Sequence, residues 1–88
     1  MDKKQVPTKP ISVKWIMADP AFARGAADAR DGKPYPDSFD TWEVNTAWNY
    51  ERGRAWASRV PASVVLKRDG RVTAEAVQWF VRLGDDIL

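Results

Sequence analysis

The sequence predicts a small, mainly α domain: a two-helix hairpin core, an extended N-terminal arm and a C-terminal helix. Three observations carry this. Asp19, Asp40 and Thr73 each place a capping side chain ahead of a stretch with apolar residues at helical spacing. Gly32 and Gly84 stand where helices would close, and Pro61 where one must stop. The 88 residues suffice for one domain and not for two. Residues 1–10 therefore read as a flexible arm and residues 11–88 as a single helical domain.

Beyond Met1 the arm holds two prolines, three lysines and a lone Val6, too little apolar surface to offset the entropy of ordering it. Ile11-Ser12-Val13-Lys14-Trp15 alternates apolar and polar, which suits a short strand or an extended segment laid over a core. Asp19 before Pro20 then starts a helix over 20–31, with proline at the position where its missing N–H costs nothing. Gly25 in its middle costs up to about 1 kcal/mol against alanine and is the place for another helix to come close. Lys33-Pro34-Tyr35-Pro36-Asp37 forbids helix and favours an extended link.

Asp40 with Glu43 three residues on forms a variant capping box for a helix over 41–59. At about 100° per residue its apolar side chains fall on two arcs, Val44, Trp48 and Ala55 on one, Trp42, Tyr50, Gly53, Trp56 and Ala57 on the other. A helix with two apolar faces is expected to be covered on both. Residues 61–67 fit a short helix, which is slightly preferred, or a strand entering a tight turn at Arg68-Asp69-Gly70. The last helix spans 73–83; only Glu75, Gln78 and Arg82 are polar after its cap, so it is buried on most sides or forms an interface.

Composition narrows the chemistry. With no cysteine and no histidine there is no thiol nucleophile, imidazole base or zinc–thiolate site, so no catalytic residue, no metal and no cofactor are expected. The acidic cluster Asp28, Asp31, Asp37, Asp40 and Glu43 lacks the spacing of a calcium loop. No apolar run approaches the roughly 20 residues of a membrane span, and the start MDKKQVPTKP has no apolar signal core; a cytoplasmic protein is expected.

The net charge of +2 hides a segmented chain. Lys3, Lys4, Lys9 and Lys14 make the start basic, the cluster just named makes 28–43 acidic, and Arg52, Arg54, Arg59, Lys67, Arg68 and Arg71 oppose only Asp69 over 52–71. The last group reads first as a solvated face and second as a phosphate-contacting patch interleaved with Trp56. Of the five tryptophans, Trp48 and Trp79 are expected in the core. Trp42 and Trp56, two heptads apart, divide evenly between core and interface and mark the place to look for a protein partner.

Phe22-x-x-Gly25-x-x-Asp28-Ala29-x-x-Gly32, Pro34-Tyr35, and Tyr50-x-x-Gly53-Arg54-x-x-Ala57 together resemble the two-helix pattern of ribosome modulation factor and similar small phage and bacterial proteins. The resemblance covers about residues 20–60. It departs in a shorter loop before Pro34, in Arg54 where the family has an aromatic, and in a less basic second helix; residues 61–88 have no counterpart. It implies a helical hairpin and a non-catalytic binding protein acting on a ribonucleoprotein or nucleic acid. Arg52, Arg54, Arg59, Lys67, Arg68 and Arg71 would then contact phosphates, with Lys3, Lys4 and Lys9 as an arm that orders on binding. The alternatives are a phage-encoded inhibitor of a host protein complex such as a CRISPR effector or polymerase, its carboxylates mimicking phosphate, and a structural homodimer joined through helix 41–59 or 73–83.

Overall fold

The computed structural model describes residues 13–87. In order these form α1 (Val13–Ala18), α2 (Pro20–Arg30), a 3-10 turn (Phe39–Thr41), α3 (Val44–Arg59), an antiparallel hairpin of β1 (Lys67–Arg68) and β2 (Arg71–Val72), α4 (Ala74–Leu83) and a closing 3-10 turn (Gly84–Asp86). The mainly α class is as predicted. The arm of residues 1–10 lies outside the described residues.

The centre of the fold is the crossing of α2 and α3, and two glycines make it. A Cβ on Gly25 would collide with the Tyr50 carbonyl oxygen and lie 3.1 Å from the Arg54 nitrogen; a Cβ on Gly53 would collide with the Phe22 carbonyl oxygen and lie 3.1 Å from the Ala26 nitrogen. The contact is reciprocal. On each helix the glycine meets the carbonyl of the residue three before, and the amide of the residue one after, its counterpart. Only residues without side chains permit such an approach.

Around the crossing, Phe22 and Ala26 of α2, Trp56 and Ala57 of α3, Ile16 and Met17 of α1, Ala76 and Phe80 of α4, and Val60, Val64 and Ile87 form one buried cluster. Phe22 is its hub, with ring centroids 5.9 Å from both Trp56 and Phe80. The Trp56 indole N–H donates to the Ala76 carbonyl at 3.3 Å, so its one polar group is satisfied in the core. A second aromatic group, Tyr35, Phe39, Trp42 and Tyr50, fastens the 31–43 connection to α3 with centroids 5.0–5.7 Å apart.

The predicted caps of α2 and α4 are present. Asp19 accepts from the Ala21 amide at 2.9 Å, and Thr73 from the Ala76 amide at 3.1 Å. The cap of α3 differs: Glu43 itself is the N-cap, its carboxylate accepting from the Asn45 and Thr46 amides at 3.0 and 3.2 Å. Those two bonds to the charged form hold the Glu43 carboxyl below its ordinary value of 4.5. Asp40 lies in the preceding 3-10 turn, and Trp42 is extended between the two. Trp42 and Trp56 therefore do not share a helix face.

Two further expectations are corrected. The segment around Val13–Trp15 is helical, because Val13, Ile16 and Met17 recur at helical spacing and turn together onto the core; a window closing at Trp15 shows only alternation. Residues 61–67 hold no helix. A single Val64-to-Pro61 turn bond is followed by β1, and Asp69 and Gly70, with φ of 56° and 78°, make the two-residue turn that suits a hairpin. The β-branched pair Val64-Val65 and the lack of a capping side chain at Val60 disfavour helix there. Arg30 locks this stretch, donating to the Val64 and Pro61 carbonyls at 2.9 and 3.3 Å.

Candidate functional site

The predicted basic residues separate into four fates. Lys3, Lys4 and Lys9 lie outside the described residues. Arg54 is committed to the fold: it donates to the Lys33 carbonyl at 2.7 Å and the Tyr50 hydroxyl at 2.9 Å and covers the Tyr35 ring at 4.5 Å. The Tyr50 hydroxyl in turn donates to Asp28 at 2.7 Å, and burial, with that carboxylate, raises its pKa above 10.0. Arg59 folds back onto the Ala55 carbonyl of its own helix. Arg54 is thus spent largely on the fold, and Arg59 turns back on its own helix.

Lys67, Arg68 and Arg71 are brought together. The hairpin places Arg68 directly opposite Arg71 across the strands, with Lys67 one residue earlier opposite Val72. Among the described residues neither arginine has a carboxylate partner. Beside them runs a cleft lined by Lys14 and Ala18 of α1, Lys67, Gly70 and Arg71 of the hairpin, and Val77 of α4. The sequence grouped these three cations by proximity; the hairpin puts two of them in register.

Arg52 stands on α3 away from the hairpin. Its guanidinium covers the Trp48 ring at 5.5 Å and donates to the Asn49 side-chain oxygen at 2.9 Å; the Asn49 amide donates to Asp19 at 2.7 Å. Arg52 lines two clefts, one with Trp15, Ile16, Asp19, Asn45 and Asn49, the other with Tyr35, Trp48, Glu51, Arg54, Ala55, Asp86 and Ile87, so that each cleft also carries carboxylates.

One tryptophan reverses its expected role. Trp56 is wholly buried, and Trp48, expected in the core, is 55% exposed. Trp79 is half-buried against the core with Arg82 over its ring at 4.8 Å. Trp42 is half-buried, its indole N–H donating to Ser38 at 3.2 Å and Arg24 covering its ring at 5.1 Å. Of the α3 arc carrying Val44, Trp48 and Ala55, only Ala55 packs against the core, and Val44 and Trp48 are uncovered. Trp15, 76% exposed, joins them as a residue that sequence reasoning missed. The signal for Trp48 was its place on a separate arc from Tyr50 and Trp56.

Among the described residues no three acidic side chains converge as a metal site would require, and no helix is long and apolar enough to cross a membrane. Comparison with protein-family models, with curated proteins and with solved structures finds no match.

Proposed function

We propose that the protein is a non-catalytic binding protein acting in the cytoplasm on a nucleic acid or ribonucleoprotein, gripping phosphates with Lys67, Arg68 and Arg71 and assisted by Arg52. The resemblance to ribosome modulation factor supplies the same reading from the motif residues of α2 and α3. The observation that carries it is the Arg68–Arg71 pair. Like charges directly opposite on adjacent strands destabilise a hairpin, and this pair has no carboxylate among the described residues to relieve it. Departures from local consistency concentrate where function is placed. A phosphate between the two guanidiniums removes the repulsion and gains charge-assisted hydrogen bonds.

The test is binding of fluorescein-labelled RNA and DNA oligonucleotides by anisotropy across a salt series. Affinity falls as salt rises, and each phosphate-contacting cation contributes about 0.7 to 0.9 to the slope of log K against log salt. The double variant Arg68→Gln, Arg71→Gln flattens the slope by about twice that. Absence of binding at low salt, or an unchanged slope in the double variant, refutes the proposal.

A further inference from the structure

The Arg52 clefts have a construction the hairpin lacks. Asp19 caps α2 with one carboxylate oxygen and receives the Asn49 amide on the other; Asn49 receives Arg52; Arg52 lies over Trp48. A helix cap thus orients an arginine through an amide whose two ends are both committed. Only one of the guanidinium's five N–H donors is used by Asn49, which leaves donors for an anion. On one side of Arg52 stands Trp48, 55% exposed, and on the other Trp15, 76% exposed. The Asn45 side-chain amide lines the Trp15 cleft and has no partner among the described residues.

Exposed indoles flanking an oriented guanidinium, with a free amide alongside, match one ligand chemistry: a planar heterocycle joined to a phosphate. We propose that these clefts seat an unpaired nucleotide of a single-stranded nucleic acid, its base stacked on Trp48 and its phosphate on Arg52, with Trp15 and Asn45 in the adjoining cleft. This rests on the nucleic-acid reading above and names its substrate as single strands. Stacking on an indole needs a base whose face is open, which a duplex offers only at its ends. Short α1 lies between the sites, with Lys14 and Ala18 lining the hairpin cleft and Trp15, Ile16 and Asp19 lining the Arg52 cleft. A strand gripped at the hairpin would cross α1 to reach Arg52.

The experiment uses the full chain, a labelled oligouridylate of about ten nucleotides and a blunt RNA duplex of the same length, with Trp48→Leu and Arg52→Gln as variants. Circular dichroism melts first establish that both variants fold, as expected for positions outside the buried core. Single strands bind more tightly than duplex and quench tryptophan emission. Trp48→Leu weakens single-strand binding roughly tenfold, from the stacking lost, and leaves the salt slope unchanged; Arg52→Gln weakens it and lowers the slope by about 0.7.

If single strands bind and Trp48→Leu binds them as tightly as the parent, or if duplex binds equally well, the seat is overturned while the phosphate-gripping hairpin stands. A self-association seen by sedimentation that Trp48→Leu abolishes, with oligouridylate binding intact, also overturns it in favour of a homodimer face. If nothing binds at low salt, the hairpin reading falls and this one with it.

Discussion

Replacing Gly53 with alanine should destabilise the protein, although in an ordinary helix the same change is favourable. Alanine gains about 1 kcal/mol of helix propensity over glycine. Here the new methyl group would overlap the Phe22 carbonyl oxygen and sit 2.9 Å from its carbonyl carbon. Both obstacles are backbone atoms of a packed helix, so no rotamer change relieves the contact. Normal C···O approach is about 3.3 Å or more, so α3 must back away from α2 by about 1 Å. A gap of that size forfeits a quarter to a half of each dispersion contact across it, and Phe22, Trp56 and Tyr50 are all 0% exposed beside the crossing. Overpacking of this kind costs about 1–3 kcal/mol where side chains can adjust, and an immovable backbone places it at the upper end. After the propensity gain the net loss is about 2 kcal/mol, or a Tm lower by roughly 8–16 °C for a domain of this size. Thermal melts by circular dichroism read this directly. Gly25→Ala should behave alike, and the double variant should cost less than the sum, since one separation relieves both clashes. A Gly53→Ala melt at or above the parent's would refute the backbone-contact reasoning.

Three further outcomes follow from the same geometry. Trp56→Ala should lose about 3–5 kcal/mol by opening a cavity in the core, whereas Trp48→Leu should stay within about 0.5 kcal/mol; urea titrations followed by circular dichroism separate them, and similar losses at both sites would contradict the assignment of one to the core and one to the surface. Glu43 is held below 4.5 by the two amides it caps, so its contribution is complete above that pH and disappears as pH falls through the lowered folded-state value; Glu43→Gln should lack that acid limb in a plot of stability against pH, and a parallel curve would count against the cap. Arg68→Thr should stabilise the free protein by about 0.2–1 kcal/mol through removal of the cross-strand repulsion, and a loss of stability would show that the arginine pair supports the fold.

Much of the fold was legible because its signals are local. Asp19-Pro20, Thr73 and Gly84 bound α2 and α4 within a residue or two, and the spaced glycines announced the crossing. The misreading of Trp48 has a geometric cause. A helical projection of α3 tells which side chains point together, and correctly separated Val44 and Trp48 from Tyr50, Gly53, Trp56 and Ala57; it does not tell which arc the rest of the chain can reach. With one short helix before α2 and one after the hairpin, there is not enough chain to cover both, and the arc with the glycine is chosen because it alone permits close contact. At the candidate site, Arg54 was indistinguishable from Arg52 by composition; what separates them is that Arg54 reaches the Lys33 carbonyl and the tyrosines across the connection. The Arg68–Arg71 register became visible only once Asp69-Gly70 was recognised as a two-residue turn.

The reciprocal glycine contact also acts as a ruler. Sliding α3 along α2 by one residue would bring the side chain of Arg52 or Arg54 against the α2 backbone, and sliding by a full turn of about 5.4 Å would bring Tyr50 or Ala57. One register therefore survives, and the sliding of packed helices by which many domains close around ligands is unavailable here. Trp48 and Arg52, carried on α3, keep a constant offset from Asp19 at the head of α2. A ligand of the kind proposed for that face would be met by side-chain rotation and by the connecting segments, at little cost in conformational freedom.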